Sequence, residues 1–160
     1  MQGGMVVETR TGFLISQIKL AQRRIFQKLL QNCGVEDFNG PQGNILYVLW
    51  QKDTVPIVEI AEKTGLAKNT LTAMLDRMEE NGLVFRKQST DDRRKALVCL
   101  TEKARGLEKD YNLVSQQMND LFFRNFSEKE IDELEKYLDR IMENLQSAEK
   151  ENRNRKEDNK

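Results

Sequence analysis

Apolar residues recur at helical spacing along most of this chain, and the places where the spacing breaks divide it into elements. Over residues 11–31, Leu14, Ile18, Ala21, Ile25 and Leu29 form one row and Ile15, Phe26 and Leu30 a second. Two such rows predict a long helix with a wide apolar stripe. Asn32 and Gly34 supply its stop, and 35–39 reads as a loop. Pro41 suits the first turn of a second helix, strongly apolar through Ile45, Leu46, Val48, Leu49 and Trp50. After a break at 54–56, residues 57–64 predict a short helix with Ile60 and Ala61 inward, ended by Gly65. Residues 68–81 predict another, with Leu71, Met74, Leu75 and Met78 on its core face and Gly82 as terminator.

The pattern then changes. Residues 83–88 and 95–100 are short runs rich in Val, Leu and Phe around a charged loop at 89–94, which predicts a β-hairpin with a long tip. Thr101 reads as the cap of the next helix, whose apolar positions are Leu107, Tyr111, Val114, Met118 and Leu121. Ser127 and Glu130 form a capping-box pattern, and the helix it opens carries Ile131, Leu134, Leu138, Ile141 and Leu145. Both seams are heptad-like. Residues 147–160 are dense in charge and nearly free of apolar side chains, which predicts a disordered charged tail. The expected fold class is mainly α with a small β-hairpin.

Composition narrows the function. Of 160 residues, 38% are hydrophobic and 32% charged, a modest core for long amphipathic helices, so burial is expected to be completed by a partner chain. No apolar stretch approaches the roughly 20 residues that span a bilayer, and residues 1–12 lack the apolar core of a secretory signal. A cytoplasmic protein without membrane contact is expected. Cys33 and Cys99 are far apart and form no CxxC pair or disulfide framework. The chain has no histidine, which removes the usual general base and the commonest metal ligand. Neither an enzyme nor a metal or cofactor site is therefore expected. The adjacent carboxylates Asp91 and Asp92 lie in a charged loop with no apolar pocket to shift a pKa.

Net charge is zero but unevenly placed. Over 9–31, Arg10, Lys19, Arg23, Arg24 and Lys28 face no acid; over 85–95, five bases oppose Asp91 and Asp92; over 127–146, seven acids oppose three bases. Local field rather than net charge attracts phosphates, so DNA binding is allowed but not argued by this balance.

Residues 57–75 have the spacing of a helix-turn-helix. Ala61 is small where two helices approach, Gly65 sits where the turn needs positive φ, and Ile60, Leu66, Leu71 and Met74 anchor the interhelix angle. Thr64 stands where an apolar residue is more usual. The opposite face of the second helix carries Lys68, Asn69, Thr70, Thr72, Ala73, Asp76 and Arg77, a set suited to the major groove. Taken alone, this segment reads equally as a helical hairpin with a solvated face. The hairpin that follows at once, tipped by Asp92, Arg93 and Arg94, favours a wing whose guanidinium reaches a narrow minor groove over an ordinary solvated turn.

With the stretches VEIAEKTGLAKNTLTAMLDRMEENGLVFRK and DDRRKALVCLTEKAR in place, and with the order of elements, residues 11–146 resemble the MarR family of bacterial winged helix-turn-helix regulators. The resemblance implies that Lys68, Asn69, Thr70 and Thr72 face the major groove. It implies that Arg77 and Arg86 lie near the backbone, that Arg94 enters the minor groove braced by Asp92, and that Arg93 shares the tip. It implies a DNA-binding lobe at 41–100 and dimerisation helices at 11–34 and 101–146, with first and last helices intertwined between two chains. Leu14, Ile18, Tyr111, Met118, Leu121, Ile131, Leu134, Leu138, Ile141 and Leu145 are the candidate dimer seam; the alternative is that these stripes cover the chain's own core.

The resemblance also implies a small-molecule or redox signal. Phe13, Phe38, Tyr47, Trp50 and Tyr111 are the candidate effector-pocket liners, each also readable as a plain core aromatic. No base adjacent in sequence marks Cys33 as a thiol sensor, and Cys99 reads as a buried hydrophobe. Two departures stand out: Ala67 replaces the serine that usually caps the recognition helix, and Ala104 a common glycine. The expected function is a DNA-binding transcriptional regulator, a repressor acting as a homodimer on double-stranded DNA with a pseudo-palindromic operator. The alternative is a dimeric winged-helix interaction protein without sequence-specific DNA binding.

Overall fold

The computed structural model describes residues 8–157, so the expectations for residues 1–7 and for 158–160 lie outside it. The elements run α1 (Thr11–Asn32), α2 (Gly40–Gln51), β1 (Val55–Pro56), α3 (Ile57–Thr64), α4 (Lys68–Glu80), β2 (Val84–Gln88), β3 (Ala96–Leu100), α5 (Glu102–Gly106), α6 (Glu108–Phe122) and α7 (Glu128–Glu157). The chain divides into two compact units, one running to Asn119 and one from Asp120.

In the first unit the helix ends follow from local chemistry. Asn39 caps α2 in a capping box: its side chain accepts from the Gln42 N–H, and the Gln42 side chain accepts from the Asn39 N–H. α1 and α4 end alike. Gly34 and Gly82 take positive φ, and Val35 and Leu83 donate back to Leu30 and Met78 carbonyls. Val35, Leu30, Leu83 and Met78 are all buried, so each stop also packs an apolar pair.

The sheet has the order β1-β3-β2, antiparallel throughout, with Val55 opposite Val98 and Arg86 opposite Val98 on the other side. The hairpin is as expected, but its third strand falls in a segment that reads as a break in sequence. Two residues containing a proline give no strand pattern of their own; β1 exists because β3 offers an open edge. Asp53 anchors this corner, accepting from the Leu100 and Thr54 N–H groups and from Arg105.

One core joins α1, α2, α3, α4, the sheet and α6 through Leu30, Ile45, Leu46, Leu49, Ile60, Leu71, Leu75, Met78, Val98 and Val114. Cys99 is buried as expected, and Cys33 packs against the core from its edge. Tyr111 and Met118 are buried in the first unit, which corrects their place in the expected dimer seam: that stretch of α6 covers the chain's own core. The single helix expected after Thr101 is two, α5 and α6, separated at Leu107 just after Gly106. Thr101 does cap α5, accepting from the Ala104 N–H.

The second unit holds the end of α6 and the whole of α7. Ser127 and Glu130 make the reciprocal capping box at 3.2 and 2.8 Å. The disordered tail expected from 147 is corrected: α7 continues to Glu157. Residues 147–157 contain no glycine or proline and are rich in Glu, Lys and Arg, good helix formers, so a helix already nucleated upstream propagates. Leu138, Ile141 and Leu145 are exposed along α7.

Candidate nucleic-acid interface

The turn between α3 and α4 explains the threonine at its entrance. Gly65 has φ 70° and donates to the Ala61 carbonyl. Thr64 Oγ1 donates to the Ile60 carbonyl at 2.7 Å and accepts from the Leu66 N–H at 3.4 Å, so its hydroxyl is satisfied within the turn. Leu71, Leu75 and Met78 bury one side of α4, while Lys68, Asn69, Thr70, Thr72, Ala73, Asp76 and Arg77 remain exposed on the other. The face expected to be spare is spare. Thr72 turns its hydroxyl back to the Lys68 carbonyl at 2.9 Å, which leaves its methyl and its acceptor lone pairs outward. Ala67 stands at the N-cap with extended backbone and no side-chain hydrogen bond, so the first N–H groups of α4 have no side chain closing them.

The hairpin carries its tip on polar bonds. Ser89 donates to the Lys95 carbonyl, Lys95 to the Asp92 carbonyl, and Ser89 Oγ accepts from Asp91 and Asp92 N–H groups. Asp92 Oδ1 accepts from the Arg94 N–H at 3.0 Å and from Arg94 Nε at 3.2 Å. This bond to Arg94 holds the Asp92 carboxyl below its ordinary pKa. The Arg94 side chain is 92% exposed, so the carboxylate orients it without covering it. Arg93 is exposed beside it.

Arg86 differs from Arg94 at the tip in meeting two carboxylates. Its Nη2 lies 2.5 Å from Asp76 Oδ1 and 2.8 Å from Glu79 Oε2, and its backbone N–H donates to Glu79 Oε1 at 3.0 Å. The Glu79 carboxyl is held below its ordinary value, first by the side-chain bond from Arg86 and then by the backbone one. Sequence reading placed Asp76 on the free face and did not pair it. The signal was present in the spacing of Asp76 and Glu79, three apart on one side of α4.

The aromatic residues gather around Tyr111. Its ring lies 5.0 Å from Trp50, 6.1 Å from Tyr47, 6.2 Å from Phe38 and 5.8 Å from Phe26, centroid to centroid. Phe38 is buried, and Trp50 Nε1 donates to the Ala104 carbonyl. A cavity of 240 Å³ opens beside this cluster between α1, α2 and α6, lined by Lys19, Arg23, Phe26, Asn44, Tyr111 and Ser115 among others. Of the expected liners only Tyr111 borders it. Phe38, Tyr47 and Trp50 pack behind Tyr111, and Phe13 is exposed on α1 away from the cavity lining. Lys19, Arg23 and Phe26 went unnoticed because polar and apolar liners share α1 with the residues of its apolar stripe. Among the described residues no cluster of His, Cys, Asp and Glu could hold a metal ion, and no helix is long and apolar enough to cross a membrane.

Comparison with known proteins agrees with this geometry. Residues 38–96 match the model of the MarR family. The organic hydroperoxide resistance transcriptional regulator of Bacillus subtilis is 34% identical over 98 residues, which are 61% of this chain and 65% of that protein. The chain thus spans slightly under two thirds of that relative's length. The regulator MhqR of Bacillus subtilis is 28% identical over 121 residues, 76% of this chain and 83% of that one. Among solved structures, a mutant MarR from E. coli complexed with operator DNA superposes with a TM-score of 0.73 at 26% identity, over 81% of this chain and 91% of that one. PcaV of Streptomyces coelicolor, in complex with its natural ligand, has the same fold, with a TM-score of 0.76 at 18% identity over 87% and 98% of the two chains. The turn into α4, the three-stranded wing and these matches together show that the chain has a winged helix-turn-helix fold like that of the MarR proteins, with residues 38–96 matching the MarR family model.

Proposed function

We propose that two copies of this chain bind one DNA duplex and regulate transcription, as a repressor in the simplest case. The observation that carries this reading is the exposed face of α4, Lys68 to Arg77, followed directly by a hairpin whose Arg94 is held outward by Asp92. A polar helix face suits a major groove and an exposed guanidinium on a hairpin tip suits the adjacent minor groove. Asn69, Thr70 and Thr72 supply short base-reading groups; Lys68, Arg77 and Arg93 supply phosphate charge. The E. coli relative solved on operator DNA supports the assignment.

Residues 41–100 act as the DNA-binding lobe, and 11–34 with 101–146 as the dimerisation region. Two lobes related by a two-fold axis read half-sites about 10 bp apart or a multiple of that. Leu14, Ile18, Leu121, Ile131, Leu134, Leu138, Ile141 and Leu145 form the contact between copies, without Tyr111 and Met118. The protein acts in the cytoplasm and performs no catalysis. A small-molecule signal is received at the cavity beside Tyr111, since that cavity lies against the helix α2 on which α3 packs.

The test is a titration against duplex DNA at several salt concentrations. A regulator of this kind shows log K falling steeply with log salt, by about 0.9 per phosphate contacted. Binding that is absent at low salt would leave the alternative, a winged-helix protein that contacts other proteins.

A further inference from the structure

Arg86 belongs to β2, the first strand of the wing, yet its polar contacts all lie on α4. Its side chain is only 28% exposed; the guanidinium meets both Asp76 and Glu79, and the backbone N–H donates to Glu79 as well. Bonds between ionised partners are the strong class of hydrogen bond, and here one arginine closes two carboxylates. With Nη2 held by both carboxylates, only the remaining donors of a largely covered guanidinium are left for a phosphate. Arg77 and Arg94, by contrast, stay exposed. Besides Arg86, the wing is joined to α4 by the Gly82 turn and by apolar packing of Leu83, Val84, Val98 and Leu100 in the shared core, so Arg86 is the polar tie between β2 and the body of α4.

We propose that Arg86 is a positioning residue: held by Asp76 and Glu79, it locks the wing against the recognition helix so that Arg94 and the Lys68–Thr72 turn meet one duplex together. The role rests on the DNA-binding reading above. It replaces the expectation, drawn from family resemblance, that Arg86 lies near the phosphate backbone. The same arrangement also offsets part of the charge of two carboxylates that would otherwise repel the duplex beside Arg77.

A double-mutant cycle separates the two roles. Duplex affinity is measured at several salt concentrations for the native chain, Arg86→Gln, Arg94→Ala and the double variant. If Arg86 positions the wing, Arg94→Ala weakens binding by about tenfold or more in the native chain and by less than about threefold in Arg86→Gln, because a loosened wing no longer delivers Arg94. The salt slope of the double variant then equals that of Arg94→Ala alone. If instead the two losses multiply and the slope falls by about one, Arg86 is a phosphate contact and the proposal is overturned. Hydrogen exchange without nucleic acid gives a second reading. Amides of 84–88 and 96–100 are expected to exchange at least about threefold faster in Arg86→Gln while those of α2 keep their native rates. Unchanged wing exchange would overturn the proposal. A native chain with no affinity for duplex would fail the DNA-binding reading, while exchange still judges whether Arg86 holds the wing.

Discussion

The backbone of α2 at Gly43 runs against the ring of Tyr111 so closely that a β-carbon there would lie 2.8 Å from Tyr111 Cε2, and 3.2 Å from Phe38 Cε2. Tyr111 cannot swing away freely, because Phe26, Tyr47, Phe38 and Trp50 surround it. Gly43→Ala therefore overpacks the cluster, at a cost of about 1–3 kcal/mol. Alanine's better helix propensity returns about 1 kcal/mol of that. A net loss of up to about 2 kcal/mol in urea unfolding is expected; a stabilised variant would mean that the cluster yields easily.

The N-terminus of α4 offers the opposite change. Ala67 has the extended backbone of an N-cap but no oxygen to accept from the next turn. Ala67→Ser supplies one and is expected to stabilise the fold by about 1 kcal/mol in thermal or denaturant unfolding. Residue 67 also borders the proposed groove contact at Lys68, so a firmer first turn is expected to tighten duplex binding in the same variant. Unchanged stability would show that water already satisfies those N–H groups.

Local chemistry made most of this fold legible in the sequence. The stops at Gly34, Gly65 and Gly82, the capping box at Ser127 and the limits of α3 could be read because each depends on a few adjacent residues. The tail from 147 was misread because polarity signals disorder only where no helix is already running into it. Val55 and Pro56 form a strand only because β3 lies beside them in space. For the site, the exposed face of α4 followed from periodicity. The Arg86 contacts and the cavity beside Tyr111 depend on how elements pack, and spacing along one element does not carry that. The same limit explains Tyr111 and Met118: a heptad stripe looks identical whether it covers its own core or a second chain.

Stability should depend on acid through Asp53. Burial alone would raise its carboxyl, but the Leu100 N–H, the Arg105 guanidinium and the Thr54 N–H outweigh it and hold it below the ordinary 3.8. A depressed folded pKa stabilises the fold above the unfolded value near pH 4, and that contribution is lost as pH falls through the lower folded value. Unfolding free energy is therefore expected to drop below about pH 4 in the native chain and to drop less steeply in Asp53→Asn. Parallel pH profiles would remove Asp53 from the acid sensitivity.

Leu138, Ile141 and Leu145 are exposed along α7, and Leu14 and Ile18 along α1. On each helix taken by itself, these exposed apolar positions suit the contact proposed between copies. The charge pattern points the same way, because residues 9–31 carry no acid whereas 127–146 carry seven acids against three bases. Light scattering is expected to give twice the chain mass at micromolar concentration. Leu138→Lys, which would bury a charge at the contact, is expected to shift the protein toward monomer and with it to weaken duplex binding. A monomeric native chain would end the two-fold reading of the operator.

The wing tip allows electrostatics and geometry to be pulled apart. Arg94→Ala removes a groove-reading guanidinium and is expected to cost about 1–3 kcal/mol of duplex binding. Asp92→Asn removes a negative charge next to the phosphates, which by field alone should strengthen binding. It also weakens the bonds from the Arg94 N–H and Nε that fix the direction of the guanidinium. If direction matters more than field, Asp92→Asn weakens binding to a selected operator while leaving or improving affinity for random duplex. Equal improvement on both would mean that the tip contributes only charge, and the minor-groove role of Arg94 would fall with it.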